Sequence, residues 1–160
     1  MKVVVNSSPL IFLTKIGKLD LLNKLFNEII IPKAVYKEVI LDGKPDKNEI
    51  IKNLSWIEVK EVNDMRLVKF LMNFIDYGES EVIAYAIENN INLVVLDDKD
   101  ARKIAREFDL KVIGTLGILI ASKKKGYVDE VKPLLEKLIN ANFRVSKSLL
   151  KKILEEIGEQ

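Results

Sequence analysis

Asn92-Leu93-Val94-Val95-Leu96 runs without a break into Asp97-Asp98-Lys99-Asp100, and this stretch decides the fold. A short apolar run with β-branched residues, stopped abruptly by charge, is the pattern of a strand buried on both faces. A strand covered on both sides needs helices around it, and the flanking sequence supplies them. Downstream, the pattern predicts a helix over 101–108, a strand over 111–113 and helices from Thr115 onward. Upstream, Asp76-Tyr77-Gly78 reads as a break before a strong helix over 79–89.

The chain opens in the same way. Val3-Val4-Val5 is a short apolar run ending at Asn6, followed by Ser7-Ser8-Pro9, a cap and a proline suited to a first helical turn. The helix is expected to pass through Leu10, Leu13 and Thr14 towards Gly17, with a further helical turn over 19–25. Ile29-Ile30-Ile31 is the next strand, closed by Pro32, which opens a helix over 33–40. Asp42-Gly43 and Pro45 mark a turn before a short helix over 46–53. Alternating apolar and polar residues over 56–62 suit an edge strand, and 64–74 reads as helix. Short strands alternating with helices imply an α/β layer fold with a mostly parallel sheet. No internal repeat or long linker divides the 160 residues, which fit one domain.

Composition narrows the chemistry. The chain has no cysteine and no histidine, so disulfides, thiolate zinc sites, cysteine nucleophiles and the Ser-His-Asp triad are excluded. A metal would have to be held by oxygen ligands, which favours magnesium, calcium or manganese. The net charge of +2 neither proves nor excludes a nucleic-acid partner. No apolar stretch approaches the roughly 18 residues of a membrane span, and 1–6 reads as a buried strand rather than a signal peptide, so a cytoplasmic location is expected.

In parallel α/β sheets, functional groups gather beyond the carboxyl ends of the strands. Asp97 and Asp98 come directly after one strand, and Asn6 holds the same place after another. Asp98 or Asp100 can alternatively serve only to cap the next helix. Glu79 lies on the helix face of Ile83, Ala86 and Ile87, at the end tipping towards the sheet edge. Glu81 shares the side of Tyr85 and Glu88, which reads as a solvated or rim position. Glu38 borders the buried face carrying Val35 and Val39. Converging carboxylates repel unless protons or a cation intervene. Bound Mg²⁺ or Mn²⁺ would relieve that cost and create a centre for phosphate chemistry. Cations for a nucleic-acid strand are at hand in Lys99, Arg102, Lys103 and Arg106, with a second cluster at Lys123-Lys124-Lys125. A solvated helix face is the plain alternative for both clusters.

Residues 3–11 (Val-Val-Val-Asn-Ser-Ser-Pro-Leu-Ile), 78–84 (Gly-Glu-Ser-Glu-Val-Ile-Ala) and Leu96-Asp97-Asp98 with Ala101-Arg102 resemble the hallmarks of PIN domains. Gly114-Thr115-Leu116-Gly117, Lys123-Lys124-Lys125-Gly126, Pro133-Leu134-Leu135 and Phe143-Arg144-Val145-Ser146 extend the likeness, more narrowly to a prokaryotic branch of uncharacterised function. The resemblance implies a three-layer α/β/α sandwich with a mostly parallel central sheet. It also implies one domain over 1–160, with a core over about 1–122 and a helical extension over about 123–160. It implies a Mg²⁺- or Mn²⁺-dependent endoribonuclease, with RNA as substrate, a small antitoxin as a possible partner and pairing into a homodimer. By position, it assigns metal binding to Asn6, Glu38, Glu79, Asp97 and Asp98, and catalysis to the four acids among them. Glu81, Asp100 and Thr115 are secondary candidates, and Lys99, Arg102 and Arg106 would contact RNA.

Asn6 stands where the family usually has Asp. Its amide oxygen can ligate a metal, but it adds no charge and cannot act as a base. That substitution keeps a second reading in view, a catalytically weak scaffold that binds RNA or protein. A receiver-like phospho-switch, the third reading, fits less well because the first strand ends in Asn6-Ser7-Ser8 rather than an acidic pair. The apolar stripe of Leu149, Leu150, Ile153, Leu154 and Ile157 must cover something, either the chain's own body or a partner.

Overall fold

The computed structural model describes residues 1–41 and 46–160. The turn expected at Asp42-Gly43 and Pro45 lies outside the described residues. Five strands, β1 (Lys2–Val5), β2 (Glu28–Pro32), β3 (Ile57–Lys60), β4 (Leu93–Val95) and β5 (Lys111–Ile113), form one sheet in the order β3-β2-β1-β4-β5. Every pairing is parallel, so the expected mostly parallel sheet is wholly parallel among the described strands. Within the run 56–62, Ile57–Lys60 forms an edge strand, with Ile57 buried and Glu58, Val59 and Lys60 exposed rather than alternating.

Parallel strands require crossovers, and helices supply them. They are α1 (Ser7–Lys15), α2 (Asp20–Leu25), α3 (Lys33–Tyr36), α4 (Lys47–Lys52), α5 (Met65–Leu71), α6 (Tyr77–Glu88), α7 (Lys99–Glu107), α8 (Thr115–Lys124), α9 (Lys132–Asn140) and α10 (Lys147–Ile157). The chain passes from α3 into a π-helical turn at Lys37–Leu41, which carries Glu38. The result is an α/β sandwich whose core joins Val3, Val4, Val5, Ile29, Ile31, Val94 and Val95 to the helices.

Two local expectations are corrected. Tyr77 and Gly78 do not break the chain but begin α6, because Asp76 caps the helix one residue earlier. Ser7 and Ser8 do not cap α1; they lie inside it, with Asn6 at the N-cap position making no side-chain cap bond. Their hydroxyls reach the carboxylates of Glu38 and Asp97 instead.

The C-terminal stripe is settled in part. Ile153 joins the core, with Leu150, Leu154 and Ile157 packed against it, while Leu149 stays 43% exposed. Helix α10 therefore docks on its own chain. Glu159 fastens it by accepting hydrogen bonds from Lys123 Nζ at 2.6 Å and from the amides of Val131 and Lys132, each at 2.8 Å. No helix among the described residues is long and apolar enough to cross a membrane.

The order of the strands positions the site. From β1 the chain builds outward to β2 and β3, then returns to the other side of β1 to add β4 and β5. The reversal falls between β1 and β4, and a crevice opens at such a switch point beyond the strand ends.

Candidate active site

Asn6 and Asp97 emerge at that crevice. Val4 and Val5 pair with Val94 and Val95, and the Asn6 amide continues the ladder by donating to the Val95 carbonyl at 3.1 Å. The sheet register thus brings together two loops far apart in sequence. A cleft of about 700 Å³ opens there, lined by Asn6, Glu38, Asp76, Glu79, Asp97 and Asp98, with Ser7 and Ser8 beside them. All five residues expected to form the centre line this one cleft.

Each carboxylate is held by an identifiable donor. Asp97 is gripped hardest: Oδ1 accepts from the Thr115 amide at 2.7 Å, and Oδ2 accepts from Thr115 Oγ1 at 2.7 Å and Ser8 Oγ at 2.8 Å. A carboxylate offers about four lone-pair sites, so roughly one of Asp97 remains. Glu38 accepts from the Ser7 hydroxyl. Glu79 and Asp76 form a reciprocal capping box. The Glu79 amide donates to Asp76 Oδ1 at 2.8 Å, and the Asp76 amide donates to Glu79 Oε1 at 3.1 Å. Asp98 accepts from the Ala101 amide at 3.0 Å and so caps α7, the simple capping role, while also lining the cleft.

Glu79 is only 6% exposed. Burial raises its carboxyl to about 7; the Asp76 amide opposes the rise, and the Asp76 and Asp98 carboxylates reinforce it. Asn6 is equally buried, and its Oδ1 has no hydrogen-bond partner among the described residues. A buried acceptor left unmade costs about 1–3 kcal/mol.

In kind, the donors of the cleft fit a hard divalent cation, since they are all oxygens and include an unsatisfied amide oxygen. In spacing they do not form a closed cage. Among the described residues, no three acidic side chains gather closely enough to hold a metal by themselves. Mg²⁺ commonly keeps several waters and takes one or two carboxylates together with substrate phosphates, so an open arrangement of this kind fits it.

Other candidates fall elsewhere. Glu81 is not solvated: it is 3% exposed and accepts from the Ala34 amide at 2.9 Å, serving the start of α3. The reason is that α6 is buried from Gly78 to Ala86, so a face that looks polar in sequence is covered by its neighbours. Asp100 is exposed in the first turn of α7 and lines no part of the acidic cleft. Thr115 is buried and acts through Asp97. Lys99, Arg102 and Arg106 line a second cleft of about 590 Å³ that shares Asp97 with the first. Arg102 also donates to the Leu96 carbonyl at 3.1 Å. Lys103 lines neither cleft. The second basic cluster lines neither cleft, and Lys123 is paired with Glu159 and Lys124 with Glu156.

Sequence reasoning missed five contributors from three segments. Asp76 falls in an apparent break, and its signal is the Asp-x-x-Glu spacing of a capping box. Ser7 and Ser8 read as caps, and no sequence signal shows where their hydroxyls go. Asn142 and Arg144 complete the wall of the acidic cleft from the loop after α9, with Phe143 packed edge-on against Phe12 at 5.0 Å.

A family model described as a PIN domain matches residues 2–159. Comparison with curated proteins gives no match.

Proposed function

The chain belongs to the PIN-domain family, a nuclease-type fold, and from that membership and the acidic cleft we propose that it is a metal-dependent endoribonuclease. The observation that carries the reading is the convergence of Asn6, Glu38, Glu79, Asp97 and Asp98 on one cleft at the switch point of the sheet. Mg²⁺ or Mn²⁺, bound there with its waters, would supply an activated water and stabilise charge on the phosphate being cut.

The chain's own residues do the rest. Ser8 and Thr115 fix the Asp97 carboxylate, and Ser7 restrains Glu38. The capping box orients Glu79 into the cleft. Lys99, Arg102 and Arg106 lie in the adjoining cleft, where they would hold the phosphates flanking the cut. Regulation by a small antitoxin and pairing into a homodimer are proposed on the family's habits alone.

Asn6 supports a second reading. With an amide in place of an acid, the centre has one negative charge fewer for metal. A scaffold that binds RNA and cuts it poorly would carry the same cleft.

The test is cleavage of a structured RNA by purified protein in Mn²⁺, Mg²⁺ or EDTA, beside Asp97→Asn. Cleavage that needs metal and disappears in the variant supports the nuclease. The same trace from wild type and variant sinks it, and RNA binding without cleavage favours the scaffold.

A further inference from the structure

The second cleft is lined by more than α7. Lys99, Arg102 and Arg106 come from that helix. Lys152 from α10 and Arg144 from the loop before it line the same cleft, and Arg144 also lines the acidic cleft. Five cations therefore face a space whose acids are Asp97, held by Ser8 and Thr115, and Glu156, paired with Lys124. None of the five forms an ion pair among the described residues. Cations without ion-pair partners, gathered in one cleft from separate segments, are a site for a polyanion.

The apolar part of the lining shows which kind. Val112, Ile113, Leu116, Ile120 and Phe143 line the cleft together with the cations. A duplex turns phosphates and sugars outward and has little use for an apolar lining. An unpaired strand brings base faces, which stack on aromatic and apolar side chains while cations follow its backbone. Gly114 lies in the second cleft beside Asp97, which lines both clefts. A methyl group there would overlap Arg102 Nη1 and come within 3.0 Å of Asp97 Oδ1.

We propose that Arg144 and Lys152 are nucleic-acid-binding residues. With α7 they grip the phosphates of a single RNA strand that crosses Gly114 into the acidic cleft. The C-terminal helix is then half of the substrate channel as well as a cover for the core, and the Glu159 fastening keeps that half in place. The choice of RNA as the strand rests on the ribonuclease reading, but the grip does not require that the RNA be cut.

Binding of a labelled oligouridylate in EDTA, followed by fluorescence anisotropy over a range of salt, tests it. Wild-type chain binds, and the Arg144→Ala/Lys152→Ala double variant binds more weakly. The variant's dependence of log K on log salt flattens by about 0.7 for each phosphate no longer neutralised. Lys151→Ala, on the same helix but lining neither cleft, leaves both quantities unchanged. Thermal unfolding of each variant checks that α10 stays docked. Wild-type affinity in the folded double variant overturns the proposal, as does failure of wild type to bind. Equally tight binding of polyglutamate overturns the assignment to nucleic acid. Metal-dependent cleavage by a double variant with unaltered binding would sink this inference and leave the nuclease standing. RNA binding that weakens as expected, without cleavage in any metal, would do the reverse.

Discussion

Ser8 Oγ donates to Asp97 Oδ2 at 2.8 Å across 89 residues of sequence, tying the first turn of α1 to the loop that follows β4. With the two bonds from Thr115, it leaves the Asp97 carboxylate one orientation. Groups that orient a ligand from behind commonly contribute 10–100-fold to metal affinity or activity. Ser8→Ala is expected to lower metal-dependent cleavage by roughly that factor while costing stability only about 1 kcal/mol. Cleavage rates and denaturant melts on one preparation check the pair. A loss of stability without a loss of rate would mean that the bond is merely structural.

Gly78 is the second residue of α6 and lies against Glu38, so that a Cβ at Gly78 would overlap the Glu38 carboxylate. Alanine is favoured over glycine by about 1 kcal/mol only in a helix interior, and Glu38, whose carboxylate is the far end of a long side chain, swings aside only by giving up its Ser7 bond. Gly78→Ala is therefore expected to lower stability by no more than about 1 kcal/mol, while cleavage falls. Unchanged cleavage would remove Glu38 from the centre.

Asp76 caps α6 and, through the same box, orients Glu79. Asp76→Ala should cost about 1 kcal/mol, a drop in Tm of roughly 2–4 °C for a chain of this size. Asp76→Asn keeps an equally good cap and should restore most of the stability. Equal Tm values for the two variants would contradict the capping role.

Glu159 predicts a pH dependence. Burial disfavours its charge, but Lys123 and the amides of Val131 and Lys132 outweigh that and hold its carboxyl below the ordinary glutamate value. The unfolded chain therefore binds more protons than the folded one in the acid range. The contribution is full at neutral pH and is lost as pH falls through the ordinary glutamate range and past the lowered value. Tm measured from neutral to acid pH should fall less steeply for Glu159→Gln than for wild type. Parallel curves would show that the fastening adds nothing.

How far sequence alone reveals each feature depends on how that feature is encoded. Val3-Val4-Val5 and residues 92–96 announce themselves because a strand buried on both faces must be apolar throughout. Polar residues that end such runs are then placed by the chain itself, as Asn6 and Asp97 are. Glu81 reads as solvated because periodicity assumes that a helix has one covered face, whereas α6 is enclosed by α3, α5 and the sheet. The Ser7 and Ser8 hydroxyls and the Arg144 wall arise from contacts between distant segments, for which local pattern carries no information.

The central claim is that side chains from separate segments act as one oxygen-donor centre, with Asn6 as its uncharged member. Titration calorimetry of Mn²⁺ into wild type, Asn6→Asp and Asp97→Asn tests it most directly. Binding should be measurable in wild type, tighter in Asn6→Asp, where a carboxylate replaces the orphaned amide oxygen, and weakened or lost in Asp97→Asn. Identical heats from all three proteins would contradict the claim.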